Sequence, residues 1–208
     1  MSSPLANRVD PSGAIQAVAA RGTLMGNRGG RIHLPADPAT GAGPRLGRRR
    51  WASRQWICCV LAFRDRRRQV MGAGYTELFF LDEATALAAG HRPCFECRRA
   101  EALAFAGAWA EGHALPAPPR APEMDRLLHA QRLGPRARGA AGSLPEGAMV
   151  MLEGAPALIR AGAALPWGWE GYAAPRALPP GEVEILTPPA ILRTLAAGYR
   201  PRLHPMAS

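Results

Sequence analysis

Cys94 and Cys97 form a C-x-x-C within Gly90-His91-Arg92-Pro93-Cys94-Phe95-Glu96-Cys97-Arg98-Arg99. That spacing lets two thiolates reach one metal ion from a tight turn, and amides at a following helix N-terminus stabilise them. The flanking arginines would also lower a thiol pKa, so a redox dithiol and a pair of inert thiols compete with a metal site. A redox pair follows a strand in a thioredoxin-like β-α pattern. Here a helical segment and its glycine cap come first, which favours metal, with zinc the expected ion. The other two cysteines, Cys58 and Cys59, are adjacent in the apolar run W-I-C-C-V-L-A-F. Alternate side chains of a strand face opposite ways, so at most one of them can reach the metal. The other reading for both is core, because free cysteine is among the most buried residue types.

Arginine is the second chemical feature. All 26 basic residues are Arg, and residues 1–70 hold 13 of them against Asp10, Asp37 and Asp65. The remaining 13 are matched by 13 acids, so the net charge of +10 lies in the first third of the chain. GC-rich codon usage accounts for Arg over Lys but not for the segregation. A one-sided arginine cluster is the footprint of a phosphate-backbone partner, a nucleic acid. Arg48, Arg49 and Arg50 with Arg66, Arg67 and Arg68 are the densest runs and the expected contacts; a merely solvated basic surface is the alternative.

Nothing else in the chain announces a reaction. His91, His113, His129 and His204 have no diagnostic spacing such as H-E-x-x-H, and there is no phosphate loop or dinucleotide fingerprint. Leu165-Pro166-Trp167-Gly168-Trp169-Glu170-Gly171-Tyr172 could stack bases, but its rings more often close over a core edge. The catalytic residues, if any, are unknown.

The elements that must position these residues can be read coarsely. The first fifty residues look like loops with one short strand near Arg31-Ile32-His33. Trp56 to Phe63 reads as a buried strand, Gln69 to Met71 as its return, and Glu77 to Leu81 as a third. Asp82-Glu83 opens a helix over 84–89 that Gly90 closes, and Cys97 to Gly112 forms a second. Residues 113–122 make a Pro-rich linker or loop, Met124 to Leu133 a short helix, and residues 136–142 a flexible stretch. Residues 148–152 and 156–160 form a hairpin, Glu182 to Leu186 a strand, and Pro189 to Ala197 the last helix. Leu87-Ala-Ala-Gly-His-Arg-Pro93 echoes Leu195-Ala-Ala-Gly-Tyr-Arg-Pro201, two helix ends with the same capping chemistry.

No apolar stretch reaches the ~18 residues of a membrane helix, and Met1 to Asp10 shows no signal peptide. The expectation is a cytoplasmic protein without disulfide staples.

Residues 79–97, F-F-L-D-E-A-T-A-L-A-A-G-H-R-P-C-F-E-C, resemble the second half of the Ada-like zinc-binding domains of DNA repair, in which a strand and a short helix lead into R-P-C-x-x-C. Residues 26–35, G-N-R-G-G-R-I-H-L-P, are similar to the first half. The resemblance implies zinc on Cys94 and Cys97, with further ligands from the first half. His33 and Asp37 stand where that pattern has two cysteines four apart, and both residue types can bind zinc. The first of those cysteines accepts a methyl group from a DNA phosphotriester. With His33 in its place, methyl transfer is not expected.

The sequence thus leads to an α+β chain with an N-terminal segment (1–20), an Ada-like zinc-centred module of short strands and helices (21–112), the Pro-rich segment (113–122) and a small C-terminal α+β region rich in strands (123–208). The candidate ligands are Cys94, Cys97, Cys59, His33 and Asp37. A closed site of this kind contributes roughly 10–16 kcal/mol to folding. The function expected is zinc-dependent nucleic-acid binding, with DNA favoured by the resemblance. The alternatives are a metal-dependent nuclease or hydrolase and a zinc-stabilised protein-interaction domain.

Overall fold

A computed structural model describes residues 3–66 and 69–207. Arg67 and Arg68 of the second arginine run therefore lie outside the described residues. The chain is a mixed α and β protein with several sheets and four α-helices among the described residues. In chain order the first part contains β1 (Ala6–Val9), β2 (Ile15–Ala17), β3 (Leu24–Arg28), β4 (His33–Leu34), β5 (Arg45–Leu46), β6 (Trp56–Cys59), β7 (Leu78–Phe80), α1 (Glu83–Ala88), β8 (Arg92–Pro93) and α2 (Arg99–Gly112). The rest contains α3 (Ala121–Leu133), β9 (Arg138–Ala140), β10 (Met149–Leu152), β11 (Ala155–Arg160), β12 (Ala163–Gly168), β13 (Gly171–Tyr172), β14 (Arg176–Ala177), β15 (Glu182–Ile185) and α4 (Pro189–Ala196).

The first sheet runs β2-β1-β7-β3-β6-β8, and β4 with β5 forms a separate ribbon. The second sheet runs β13-β12-β11-β10-β15-β9, with β14 against β12. Within the first sheet β3 and β6 are antiparallel, pairing Met25 with Cys59 and Gly26 with Cys58. β8 runs parallel to β6 and sets Pro93 opposite Cys58. This pairing brings the end of β6 to the start of the C-x-x-C turn.

The helix α1 is buried along its whole length, and its composition explains how that is possible. Leu87 enters one core with Phe105, Trp109, Met124, Val150 and Ile191. Ala84 and Ala88 pack in a second core with Met149, Leu158 and Tyr172, and Ala86 and Ala89 in a third with Val9, Leu24 and Phe80. Alanines let both sheets approach the helix axis closely without a volume penalty. Asp82 caps the helix, its Oδ1 accepting from the Thr85 amide at 2.9 Å. Gly90 takes φ +81 beyond the helix end, a conformation that favours glycine.

Four expectations change. The first fifty residues hold β1 to β5 rather than loops around one strand, because their short strands obtain stability by pairing within the sheet and carry little apolar periodicity of their own. The strand at Trp56 ends at Cys59, where the chain leaves the sheet and the Val60 amide turns to the Cys97 sulfur. Among the described residues no strand returns over 69–71: Met71 sits in a left-handed turn and its amide donates to buried Glu77 at 2.7 Å. Residues 138–140, expected to be flexible, instead pair with β15.

Candidate metal centre

β6 ends in adjacent cysteines whose side chains take opposite faces of the strand. Cys58 is fully buried in the first sheet's core, with Arg98 Nη1 3.5 Å from its sulfur. Burial, followed by the charge of Glu83, pushes its thiol up. Cys59 takes the other face, where its sulfur, that of Cys94 and that of Cys97 lie within 4.8 Å of one another. The C-x-x-C occupies a turn just before α2, held to β6 by the Cys94 amide donating to the Cys58 carbonyl at 3.0 Å.

The donors around these sulfurs are those a thiolate needs. The Glu96 amide lies 3.4 Å from the Cys94 sulfur, and the Cys97 amide also donates to it. The Cys59 thiol, then the Cys97 thiol, donates to the Cys94 sulfur and holds Cys94 far below its ordinary value. The same sulfur–sulfur hydrogen bonds, followed by burial, push Cys59 far up. Three sulfurs contending for protons at this separation are a preassembled soft-donor set. Tetrahedral zinc with Zn–S of about 2.3 Å places sulfurs about 3.8 Å apart, and three sulfurs within 4.8 Å of one another could hold a metal ion.

No histidine or carboxylate completes the group among the described residues. Instead the triad lies on the wall of a cavity of about 390 Å³, which Asn27, Tyr75, Glu77, Glu96 and Arg66 also line. A metal on three thiolates would have its fourth position available on that side. Asn27 and Glu77 are buried polar residues on or beside the strands of the first sheet. Neither carries a sequence signal that sets it apart from a core-edge position.

No family model matches this chain, and no curated protein or solved structure does.

The remaining candidates separate. His33 is buried away from the triad, its Nε2 donating to the Gly72 carbonyl at 2.8 Å and its Nδ1 2.7 Å from the Thr76 hydroxyl. That hydroxyl accepts from the amides of Ile32 and His33, so it is left to donate its own proton to Nδ1 and occupy the lone pair a metal would need. Asp37 is half-buried and ties its own turn, accepting from Thr40 Oγ1 at 2.8 Å and from the Ala39 amide at 3.0 Å. The hydrogen bond from Thr40 holds its carboxyl below the usual range. The fold brings neither His33 nor Asp37 to the cysteines, whereas it does bring Cys59.

Arg48, Arg49 and Arg50 are exposed and have no acidic partner among the described residues. Arg66 is exposed too but pairs with Glu96 at the mouth of the cysteine cavity, so its charge is already met. The Trp-rich segment closes a core edge: Trp167 Nε1 donates to Thr85 Oγ1 at 3.1 Å, and the Tyr172 hydroxyl donates to Asp82 at 2.9 Å.

Proposed function

We propose that this chain is a zinc-binding protein that holds nucleic acid, DNA in the first instance, against its arginine-rich N-terminal third. The observation that carries the metal is the convergence of the Cys59, Cys94 and Cys97 sulfurs within 4.8 Å. The ion would fasten the end of β6 to the turn before α2, which is a structural task. The resemblance of residues 79–97 to Ada-like zinc domains supports the same reading, and unpaired Arg48 to Arg50 support a phosphate partner. Binding of duplex DNA should weaken steeply with salt. Arg48→Gln/Arg49→Gln/Arg50→Gln should reduce both affinity and the salt slope, the slope by about 0.9 for each phosphate that the variant no longer neutralises. An affinity that ignores salt, or a slope unchanged in the triple variant, would defeat the nucleic-acid reading.

The cavity beside the triad favours one second reading, a metal-dependent hydrolase acting on nucleic acid. A zinc ion on three protein ligands can supply an activated water at its open position. Glu77 lines the same cavity and would be the candidate base. Plasmid incubated with zinc-loaded protein distinguishes the two: nicking that Glu77→Gln removes without loss of zinc would favour the hydrolase, and intact plasmid the binding protein.

A further inference from the structure

Among the described residues the protein neutralises two of its three deeply buried arginines, and leaves the third, Arg28, and the half-buried Arg132 without an acid. Arg92 donates to both oxygens of Asp125 at 2.9 and 2.8 Å, and Arg98 pairs with Glu83 at 2.8 Å. Arg28 is only 2% exposed and its guanidinium donates to one carbonyl, that of Gly13. Among the described residues Arg132, half-buried, donates to the carbonyls of Leu128 and Arg54. Each keeps a buried guanidinium N–H with no partner among the described residues, Nε in Arg28 and Nη2 in Arg132. The nearest acids are committed elsewhere: Asp10 to Ser12, Ala14 and Gln16, and Asp125 to Arg92.

Both guanidinium groups lie over the Trp56 ring, 4.1 and 4.2 Å from its centroid, and this cation–π contact gives them a fixed orientation but no counter-charge. Burial, and then mutual repulsion with neighbouring arginines, lowers Arg28 to about 9. A buried cation without a partner is costly enough that folds rarely keep one unless something else compensates it. Arg28 and Arg132 both line a cavity of about 430 Å³ between the first sheet, the end of α3 and the strand β15. Exposed Arg50 and the half-buried ring of Trp51 line it too, and no Asp or Glu does among the described residues.

We infer that this cavity is a phosphate-binding pocket, in which Arg28, Arg132 and Arg50 would surround a terminal phosphate group. A guanidinium fork matches phosphate oxygens in geometry as well as charge, and a dianion supplies the counter-charge that the protein withholds. Trp51 stands where a base carried by that phosphate could stack. The group can come from a free nucleotide or from the 5′ end of a strand. The pocket is separate from the cysteines and does not require the metal.

Titration calorimetry of the full chain with inorganic phosphate, AMP, and a short single-stranded DNA with a 5′-phosphate or a 5′-hydroxyl tests it. Saturable binding of phosphate is expected, unmatched by chloride at equal ionic strength, with a change in Trp56 fluorescence. Arg132→Gln and Arg50→Gln should each weaken it at least tenfold, while remote Arg138→Gln should leave it unchanged. Arg50 is exposed, so its variant keeps the fold should Arg132→Gln lose it. Tighter binding of AMP assigns the pocket to free nucleotides, and preference for the 5′-phosphorylated strand over its 5′-hydroxyl form assigns it to strand ends. Phosphate heats no different from chloride, or binding indifferent to both pocket variants, would overturn the inference. Duplex affinity that persisted in that case would leave the nucleic-acid reading standing.

Discussion

Cys58 and Cys59 are neighbours of the same type with opposite fates, because one strand residue is enough to exchange a core face for a site face. The difference gives a direct residue-scale prediction. Elemental analysis should find one zinc per chain, lost or greatly reduced in Cys59→Ser, Cys94→Ser and Cys97→Ser. Cys58→Ser and His33→Ala should keep it. Cys58→Ser replaces a fully buried thiol beside Arg98 with a smaller, more polar hydroxyl and should cost about 1–3 kcal/mol of stability with the zinc in place. His33→Ala strands the hydroxyl of Thr76 and the carbonyl of Gly72, a loss of about 1–3 kcal/mol visible in urea unfolding. Zinc retained in Cys59→Ser would mean that the triad is not the site.

At the scale of elements, the centre depends on short pieces held from outside. β8 is two residues long, and buried Arg92 on it is anchored to Asp125 on α3. Asp125→Ala leaves that guanidinium buried without a counter-charge and should destabilise the protein by about 3–5 kcal/mol. Replacing both partners with apolar residues should recover most of that loss, and chemical denaturation of the single and double variants would show it. A small effect of Asp125→Ala would mean that Arg92 finds water instead. The helix α1 shows the same interdependence. Its N-cap Asp82 also accepts from Tyr172 and from the His204 amide, and Glu83 accepts from Tyr199 and the Arg202 amide. The first turn of a helix from the N-terminal half is therefore completed by the C-terminal strands and tail.

At the scale of the whole molecule, the core containing Leu87, Phe105 and Trp109 continues through Met124, Val150, Ile159, Ile191 and Leu195. A fragment of residues 21–112 would expose that apolar face, and its cysteines would lack a fixed frame. It should bind 1-anilinonaphthalene-8-sulfonate and give poorly dispersed amide signals even with zinc added, whereas the full chain should not. A well-dispersed spectrum for the fragment would show instead that the metal alone can organise the N-terminal part.

Much of this was legible in the residues themselves. The C-x-x-C in a turn before a helix, the α1 and α4 helices with their glycine ends, the hairpin of β10 and β11, and the limit of one cysteine from the W-I-C-C strand all rest on local chemistry: spacing, capping and alternation act within a few residues. What local chemistry could not decide was which distant groups meet. His33 and Cys59 were equally plausible partners for Cys94 by residue type, and the sheet order separated them by pairing Cys59's strand with β8 while Thr76 and Gly72 took the histidine's nitrogens. The arginines divide in the same way. Composition located the positive charge in the first third of the chain, but only packing shows that Arg66 is paired, that Arg48 to Arg50 are free of acids, and that Arg28 meets Arg132, more than a hundred residues away in the chain, across one tryptophan ring. Ion pairing and burial are properties of neighbours in space, and for these residues the neighbours lie tens of residues away in the sequence, from Arg66 to Glu96 and from Arg28 to Arg132.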